Sequence, residues 1–160
     1  MKEFANLNLA WRALGYLSAL IFLVITVLIS YNVIARLVFE NPLSWIPEVS
    51  RHLMIWLAFL AAAVALRMRG HLGLDILAHI DRRWVQIALE LIVTAVVLSV
   101  AYVMIDYGWQ MVGRVARQTS SAIGYSMAYA YAAIPTGGVL MVIAALDSLR
   151  ERLTTLRTRP

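Results

Sequence analysis

The sequence predicts an all-α membrane protein with four transmembrane helices and a short cytoplasmic interfacial helix between the second and third of them. Composition is the first reason: 62% of the 160 residues are hydrophobic and 14% are charged, whereas soluble domains are about half apolar and about a quarter charged. The second reason is that charged residues divide the chain into four long apolar runs. About 20 apolar residues are enough for a helix to cross a bilayer.

The four runs predict spans at about residues 14–38, 47–68, 83–105 and 123–146, which form a single membrane domain over residues 1–160. The first run has 23 uncharged residues between Arg12 and Arg36, so we interpret it as a retained span rather than a cleaved signal. In the second run, Pro47 suits the first position of a helix, and Glu48 suits the positive end of its dipole.

The connection between spans two and three predicts a helix end followed by an interfacial helix. Arg67 and Arg69 would occupy the last turn of span two, where cations are favoured, and Gly70 would close it in a left-handed conformation. Asp75 is then expected to cap an amphipathic helix at about residues 74–81. The apolar residues of this stretch recur every four positions: Leu72, Ile76, Ile80 and Trp84.

The same stretch has an alternative interpretation as a metal or acid–base site of a membrane enzyme, formed by His71, Asp75 and His79. A cap at Asp75 would place His71 before the helix, so the three side chains would not form one row. Two imidazoles and one carboxylate, in a chain without cysteine, are a weak set of metal ligands. We therefore expect no catalytic residue, no metal and no cofactor.

Basic residues predict the orientation of the chain in its membrane. Ten of the 14 lysines and arginines flank the termini and the 67–83 connection, and four flank the other side. Because positive residues concentrate in the cytoplasm, both termini are predicted to be cytoplasmic. The net charge is +5, and the basic residues lie between the apolar runs without forming an aromatic-basic patch. This distribution indicates a membrane lipid surface rather than nucleic acid as a partner.

Glu90 is the single charged residue between Trp84 and Ile105 in the predicted third span. An ionisable residue inside a membrane is a candidate for ion binding, so a small four-span exporter that works as a homodimer and couples to cations is one alternative function. Glu90 lies about 10 Å along the helix from Arg83, within reach of an arginine of the connection. A structural role as the partner of such an arginine is the interpretation that we favour.

Small residues at four-residue spacing predict close helix packing in spans two and four. These residues are Ala58 with Ala62, Ala61 with Ala65, and Gly124 with Ala128 and Ala132. Pro135, together with Gly137 and Gly138, predicts a kink or an interruption in span four. No span carries several polar residues that could line a path for solutes, so the sequence does not indicate a complete carrier.

Three segments of the chain form a distinctive succession: "NVIAR" at 32–36, "PLSWIPEVSRHLMIWLAFLAAAVALRMRGHLGLD" at 42–75 and "YAAIPTGG" at 131–138. Together they resemble the small membrane subunit of tripartite ATP-independent periplasmic (TRAP) transporters, the DctQ-like family, and the resemblance covers about residues 20–146. The residues that carry it are Arg36, Trp45, Glu48, Arg51, Trp56, Arg67, Gly70, His71, Asp75 and Pro135.

The resemblance implies an auxiliary subunit of a sodium-coupled transporter in a bacterial inner membrane. A large multi-span subunit would bind substrate and sodium and move as an elevator, a periplasmic protein would deliver an organic acid, and the small subunit would brace the large one. Glu48 and Arg51 lie three apart, and an exposed ion pair contributes at most about 1 kcal/mol. We therefore expect this pair to contact a partner protein.

Overall fold

The computed structural model describes residues 8–77 and 83–158, with side chains for residues 8–68 and 84–151. Its helices are α1 (Leu9–Val38), α2 (Trp45–Leu77), α3 (Arg83–Val115), α4 (Ala128–Tyr131) and α5 (Ala133–Thr158). Four segments are long and apolar enough to cross a membrane: Leu9–Val38, Trp45–Met68, Trp84–Val115 and Ala128–Glu151. The predicted all-α membrane fold with four spans is confirmed.

The four spans pack side by side in the order α1, α2, α5 and α3. Extensive contacts join α1 to α2, α2 to α5, and α5 to α3. In the apolar windows of α1 and α3, only 11% of residues are buried, against 33% in the span that contains α5. The helices at the two edges of this row therefore expose most of their apolar surface.

Helix α1 buries one narrow stripe. Of its four buried residues, Trp11, Ser18 and Ile25 recur every seven positions, which is the spacing of a coiled-coil seam, and Ala35 follows ten positions after Ile25. The hydroxyl of Ser18 donates to the carbonyl of Leu14 at 2.9 Å, so this buried polar group is satisfied within its own helix. A helix at the edge of a row packs extensively against one neighbour, so one buried stripe is enough.

Helix α5 approaches both of its neighbours closely because glycines lie at the contacts. A Cβ atom on Gly137 would lie 2.6 Å from the Cβ of Phe59 in α2, and one on Gly138 would lie 3.0 Å from the carbonyl oxygen of Ala101 in α3. Lipid provides little hydrophobic force between helices, so close van der Waals packing carries more of their association. These glycines allow that packing at the centre of the row.

Span four is interrupted near its start, as its proline predicts. Helix α4 ends at Tyr131, and α5 begins at Ala133. Pro135 has no N–H group, and its ring is incompatible with the carbonyl four residues earlier, that of Tyr131, in a regular helix. A Cβ on Gly108 of α3 would lie 2.9 Å from the Cδ of Pro135, so the proline ring packs directly on that helix.

A compact loop, residues 116–127, joins α3 to α4. The N–H of Ser120 donates to the carbonyl of Tyr125 at 2.8 Å, and that of Met127 donates to Gln118 at 2.9 Å. Gly124 has a φ of 79°, a left-handed conformation that glycine adopts without strain. Ile123, where we expected span four to begin, lies in this loop, because the turn at Gly124 delays the helix to Ala128.

The predicted helix end at Gly70 is wrong. Helix α2 continues without a break to Leu77, so Arg67 and Arg69 do not form its last turn and Asp75 does not begin a new helix. A glycine inside a helix costs only about 1 kcal/mol relative to alanine, and the leucines and arginines around Gly70 favour helix. Residues 78–82, which complete the predicted interfacial helix, lie outside the described residues, so a separate helix there stays a prediction.

Candidate partner interface

One face of α2 holds the 116–127 loop and the start of span four. Glu48, His52 and Trp56 are spaced four residues apart, so their side chains lie on the same side of the helix. The Glu48 carboxylate accepts from the N–H of Ala122 at 3.1 Å, and the Trp56 indole N–H donates to the carbonyl of Tyr129 at 3.0 Å. We call this part of the molecule, with residues 39–44 and 116–127, the loop end.

The middle contact of this face joins an imidazole to a phenol. His52 Nδ1 is hydrogen-bonded to the Tyr125 hydroxyl, and the two rings meet edge to face with their centroids 5.5 Å apart. Burial raises the pKa of Tyr125, and the negative charge of Glu48 raises it further. The phenol therefore stays protonated at neutral pH, and its hydroxyl can donate a hydrogen bond to His52 Nδ1. His52 was not predicted as a site residue, although its spacing from Glu48 and Trp56 is visible in the sequence.

Glu48 and Arg51 do not act as a pair. Glu48 is occupied by the 116–127 loop, and within the described parts of the chain no ion pair joins it to Arg51. Arg51 is exposed instead on another side of α2. The remaining candidates at this end, Arg36 at the end of α1 and Trp45 at the start of α2, are also exposed. The structure therefore gives Glu48 an internal role and leaves the two arginines and Trp45 available for external contact.

A second polar cluster joins α1, α2 and α5 at the opposite end of the row, which we call the termini end. Arg67 of α2 is ion-paired with Glu151 of α5, and the indole N–H of Trp11 donates to the Asp147 carboxylate at 3.2 Å. Arg67 is only 2% exposed and Trp11 only 4%. These contacts connect helices that are far apart in sequence, and Arg67 acts in the middle of a long helix rather than at its end.

Glu90 lies on the side of α3 that packs towards α5. It is half-buried and comes four residues before Thr94, which is buried along with Ala101. These residues share one face of the helix with Gly108, whose close contact is with Ile134 and Pro135 of α5. The position of Glu90 is that of a residue within a helix interface of this chain.

The described side chains include no group of three or more His, Asp and Glu residues that could hold a metal ion. His71 belongs to the helical part of α2, as does Asp75, but their side chains lie outside the described ones, and His79 lies in the undescribed segment. The structure therefore does not test the alternative metal site.

Small residues take part in helix packing, but mostly not those that spacing singled out. Ala58 and Ala65 are exposed, whereas Ala63, which belongs to neither predicted pair, is fully buried. The closest contacts are instead made by Gly108, Gly137 and Gly138. Four-residue spacing identifies a stripe that allows close approach, but it does not say whether a neighbouring helix lies on that side.

Comparisons with known proteins show which transporter components this chain resembles. The chain is 32% identical over 98 residues to a Haemophilus influenzae protein described as a TRAP transporter small permease, an alignment that covers 61% of this chain and 61% of that protein. It is 23% identical over 133 residues to the sialic acid TRAP transporter permease protein SiaT of the same species, which covers 83% of this chain and 22% of SiaT. The chain thus matches less than two thirds of the length of either relative.

Residues 25–155 match the family of tripartite ATP-independent periplasmic transporters, DctQ component. This match covers part of α1 and all of the other three described segments that are long and apolar enough to cross a membrane. It also includes the glycine contacts of α5 and both polar clusters apart from Trp11. The chain is a multi-pass membrane protein that belongs to the DctQ component family of TRAP transporters.

Proposed function

We propose that this chain is the auxiliary scaffold subunit of a sodium-coupled, binding-protein-dependent transporter that takes up an organic acid or a similar carboxylated solute. The observation that best supports this role is the open row of spans. Helices α1 and α3 each contact one neighbour extensively and leave most of their apolar surface uncovered. A helix row of this shape offers a long, rigid side to a larger membrane protein.

The proposed partner is a large multi-span membrane subunit. SiaT, named as a permease, matches this chain over only 22% of its length. We infer that a separate protein supplies the function of the unmatched part, and that sodium ions and substrate bind there rather than to this chain. In this proposal the large subunit moves as an elevator against the static row formed by α1, α2, α5 and α3.

A periplasmic substrate-binding protein is the second proposed partner, and the loop end is the surface that we assign to it. Arg51, Arg36 and Trp45 are exposed there. Glu48 is proposed to act indirectly, because its carboxylate fixes the 116–127 loop. Charge reversal at Glu48 should then impair uptake through the shape of this loop.

The scaffold role predicts that the chain transports nothing alone. In the native host, its removal should abolish uptake of the solute that the periplasmic protein binds, whereas the purified chain in liposomes should show no solute flux. The Glu90→Gln variant should support nearly normal uptake, because Glu90 lies within a helix interface and not on a path for ions. The measurements are uptake of labelled solute by cells and flux into liposomes.

The competing function is an exporter formed by two copies of this chain. If the isolated chain moved a cation-coupled solute in liposomes and Glu90→Gln abolished that flux, the scaffold proposal would be wrong. Purification from the native host provides an independent check. A co-purifying large membrane protein supports the scaffold, and a homodimer without such a protein supports the exporter.

We also propose that the protein lies in a bacterial inner membrane with both termini in the cytoplasm, which places the loop end at the periplasm. The support for this orientation is the excess of arginine beside the termini and the 67–83 connection. The 116–127 loop and residues 39–44 carry few basic residues, and the large polar side chains of the loop end suit a surface that meets a periplasmic protein.

Reporter fusions test this orientation. A cytoplasm-active reporter after Pro160 should give a strong signal, and the same reporter inserted after Gln118 should give none. A periplasm-active reporter should give the reverse pattern at the same two sites. Equal signals from the two positions with either reporter would contradict the four-span topology, and an exchanged pattern would contradict the orientation.

A further inference from the structure

A groove of about 350 Å³ lies between α1 and α2 at the loop end. Its walls are apolar and include Ile29 and Val33 of α1 and Met54 of α2. Its size falls within the range of small-molecule sites, about 300–1,000 Å³. Helix α1, which forms one wall of the groove, is an edge helix with little buried surface. An occupant of the groove would therefore have a long apolar part.

The polar groups of the groove are hydrogen-bond donors. Ser50 is 3% exposed, and its hydroxyl has no hydrogen-bond partner. The Asn32 side-chain oxygen already accepts from the N–H of Leu43 at 3.1 Å, so its amide nitrogen is the part that remains to donate. Buried polar groups are normally hydrogen-bonded. The unpaired Ser50 hydroxyl indicates that an acceptor belongs in this groove.

The charges of the groove are positive. Arg51 lines it and is exposed. Arg36 lies one helical turn beyond Asn32 on α1 and is also exposed. Among the described residues that line the groove, none is acidic, and the nearest carboxylate along α2, that of Glu48, accepts from the 116–127 loop instead. The groove therefore combines apolar walls with a cationic mouth at the end of two membrane spans.

We propose that this groove binds one anionic phospholipid. The phosphodiester of the lipid accepts hydrogen bonds from Ser50 and Arg51, and one acyl chain of the lipid lies along Ile29, Val33 and Met54. Arginine recognises phosphate through charge-assisted hydrogen bonds, and basic pockets between membrane helices bind anionic head groups. A span end is also the level at which lipid phosphates lie. The bound lipid fills the space between α1 and α2 and joins the edge helix to the row.

Lipid retention by the purified full chain tests this site. The chain is extracted with mild detergent, incubated with phosphatidylglycerol or phosphatidylcholine, and examined by native mass spectrometry, together with any large membrane subunit that accompanies it. We expect phosphatidylglycerol to be retained in preference to phosphatidylcholine. Arg51→Gln should weaken that retention about tenfold, because hydrogen bonds to charged groups are among the stronger ones. Ser50→Ala should weaken it as well, although less.

Matched controls show whether lipid retention depends on this groove. Arg117→Gln removes an exposed arginine from the 116–127 loop, away from the groove, and should retain the lipid as the unmodified chain does. Arg51 is exposed, so without added lipid its variant should keep the melting temperature of the unmodified protein. Glycerol phosphate, which has the head group without acyl chains, should not displace the lipid at equal concentration.

Three results would overturn the proposal. The first is equal retention by Arg51→Gln and the unmodified chain. The second is displacement of the lipid by glycerol phosphate at equal concentration, which would indicate a site for free phosphate groups. The third is a variant at Arg51 that keeps the lipid but loses a co-purifying large subunit, which would make the groove a protein interface.

Discussion

Replacement of Gly137 by alanine should destabilise the folded protein by about 1–3 kcal/mol, the usual cost of an added methyl group in a close-packed interior. The new Cβ would lie 2.6 Å from the Cβ of Phe59 and 3.1 Å from its Cγ. The Cβ of Phe59 is bonded to the backbone of α2, so a side-chain rotation cannot move it away. Relief requires α2 and α5 to separate, which loosens the centre of the row.

Gly113→Ala is the matched control for this prediction. A Cβ on Gly113, also within a membrane helix, would meet no atom within 4 Å. Alanine favours helix over glycine by up to about 1 kcal/mol, so this variant should be neutral or slightly more stable. Unfolding by increasing fractions of a denaturing detergent, followed by circular dichroism, measures both effects. Equal stability of the two variants would show that α2 and α5 are not in contact at Gly137.

Replacement of Glu151 by alanine should destabilise the protein by about 1.5–3 kcal/mol, the range for a hydrogen bond to a charged group. This change leaves the Arg67 guanidinium buried without its carboxylate partner. Arg67 is 3% exposed at its side chain and Glu151 is 50% exposed. Water that reaches Glu151 weakens the pair, so we expect less than the loss of about 3–5 kcal/mol typical of fully buried pairs.

Removal of the arginine should have a smaller effect than removal of its partner. Arg67→Met replaces a buried charge with a shorter apolar side chain, and the Glu151 carboxylate that loses its contact with Arg67 is 50% exposed and can be hydrated. It also removes the Nε and Nη1 atoms of Arg67, which are buried without a hydrogen-bond partner. Once Arg67 is methionine, the further change Glu151→Ala should cost little, because the coupling between the two residues is lost.

The exposed residue Glu40, in the segment between α1 and α2, offers a control for loss of a carboxylate. Glu40→Ala should change the free energy of unfolding by less than about 0.5 kcal/mol. If Arg67→Met destabilised the protein as much as Glu151→Ala, Arg67 would owe its importance to packing or to other partners rather than to this ion pair. Both variants should be compared within the assembled complex as well, because a bound large subunit stabilises the folded chain by mass action.

The Gly137 contact and the Arg67–Glu151 ion pair contribute differently to the proposed scaffold. Gly137 lies at the contact that joins the two central helices, so its replacement should impair assembly with a large subunit as well as stability. The ion pair of Arg67 and Glu151 lies at the termini end, where it ties α2 to α5. A rigid scaffold needs both contacts, because the proposed partner that moves against it would exert force along the whole length of its helices.

Composition and charge spacing alone were enough for the fold class. Apolar length decides whether a helix can cross a membrane, and this property belongs to the chain before it folds. The interruption of span four could also be predicted, because the missing N–H of Pro135 acts on its own helix. The family could be identified for a similar reason: the motif from Trp45 to Asp75 lies in one continuous segment.

Local sequence signals gave a wrong prediction where a weak preference for a helix end was opposed by the continuation of a long helix. Gly70 permits a helix end but does not require one, and α2 continues past it to Leu77. Glu48 and Arg51 are close in sequence, yet Glu48 binds the N–H of Ala122 from a distant loop. Proximity along the chain does not predict which of several possible partners a charged side chain contacts.

Only the packed helices revealed the order of the row, the contact of Gly137 with Phe59, and the pairing of Arg67 with Glu151. Each depends on how far one helix is rotated and shifted relative to another. Hydrophobic periodicity cannot report that rotation in a membrane, because lipid-facing and helix-facing sides are both apolar. The fold class thus follows from properties of single segments, whereas the candidate interfaces follow from contacts between segments that are distant in sequence.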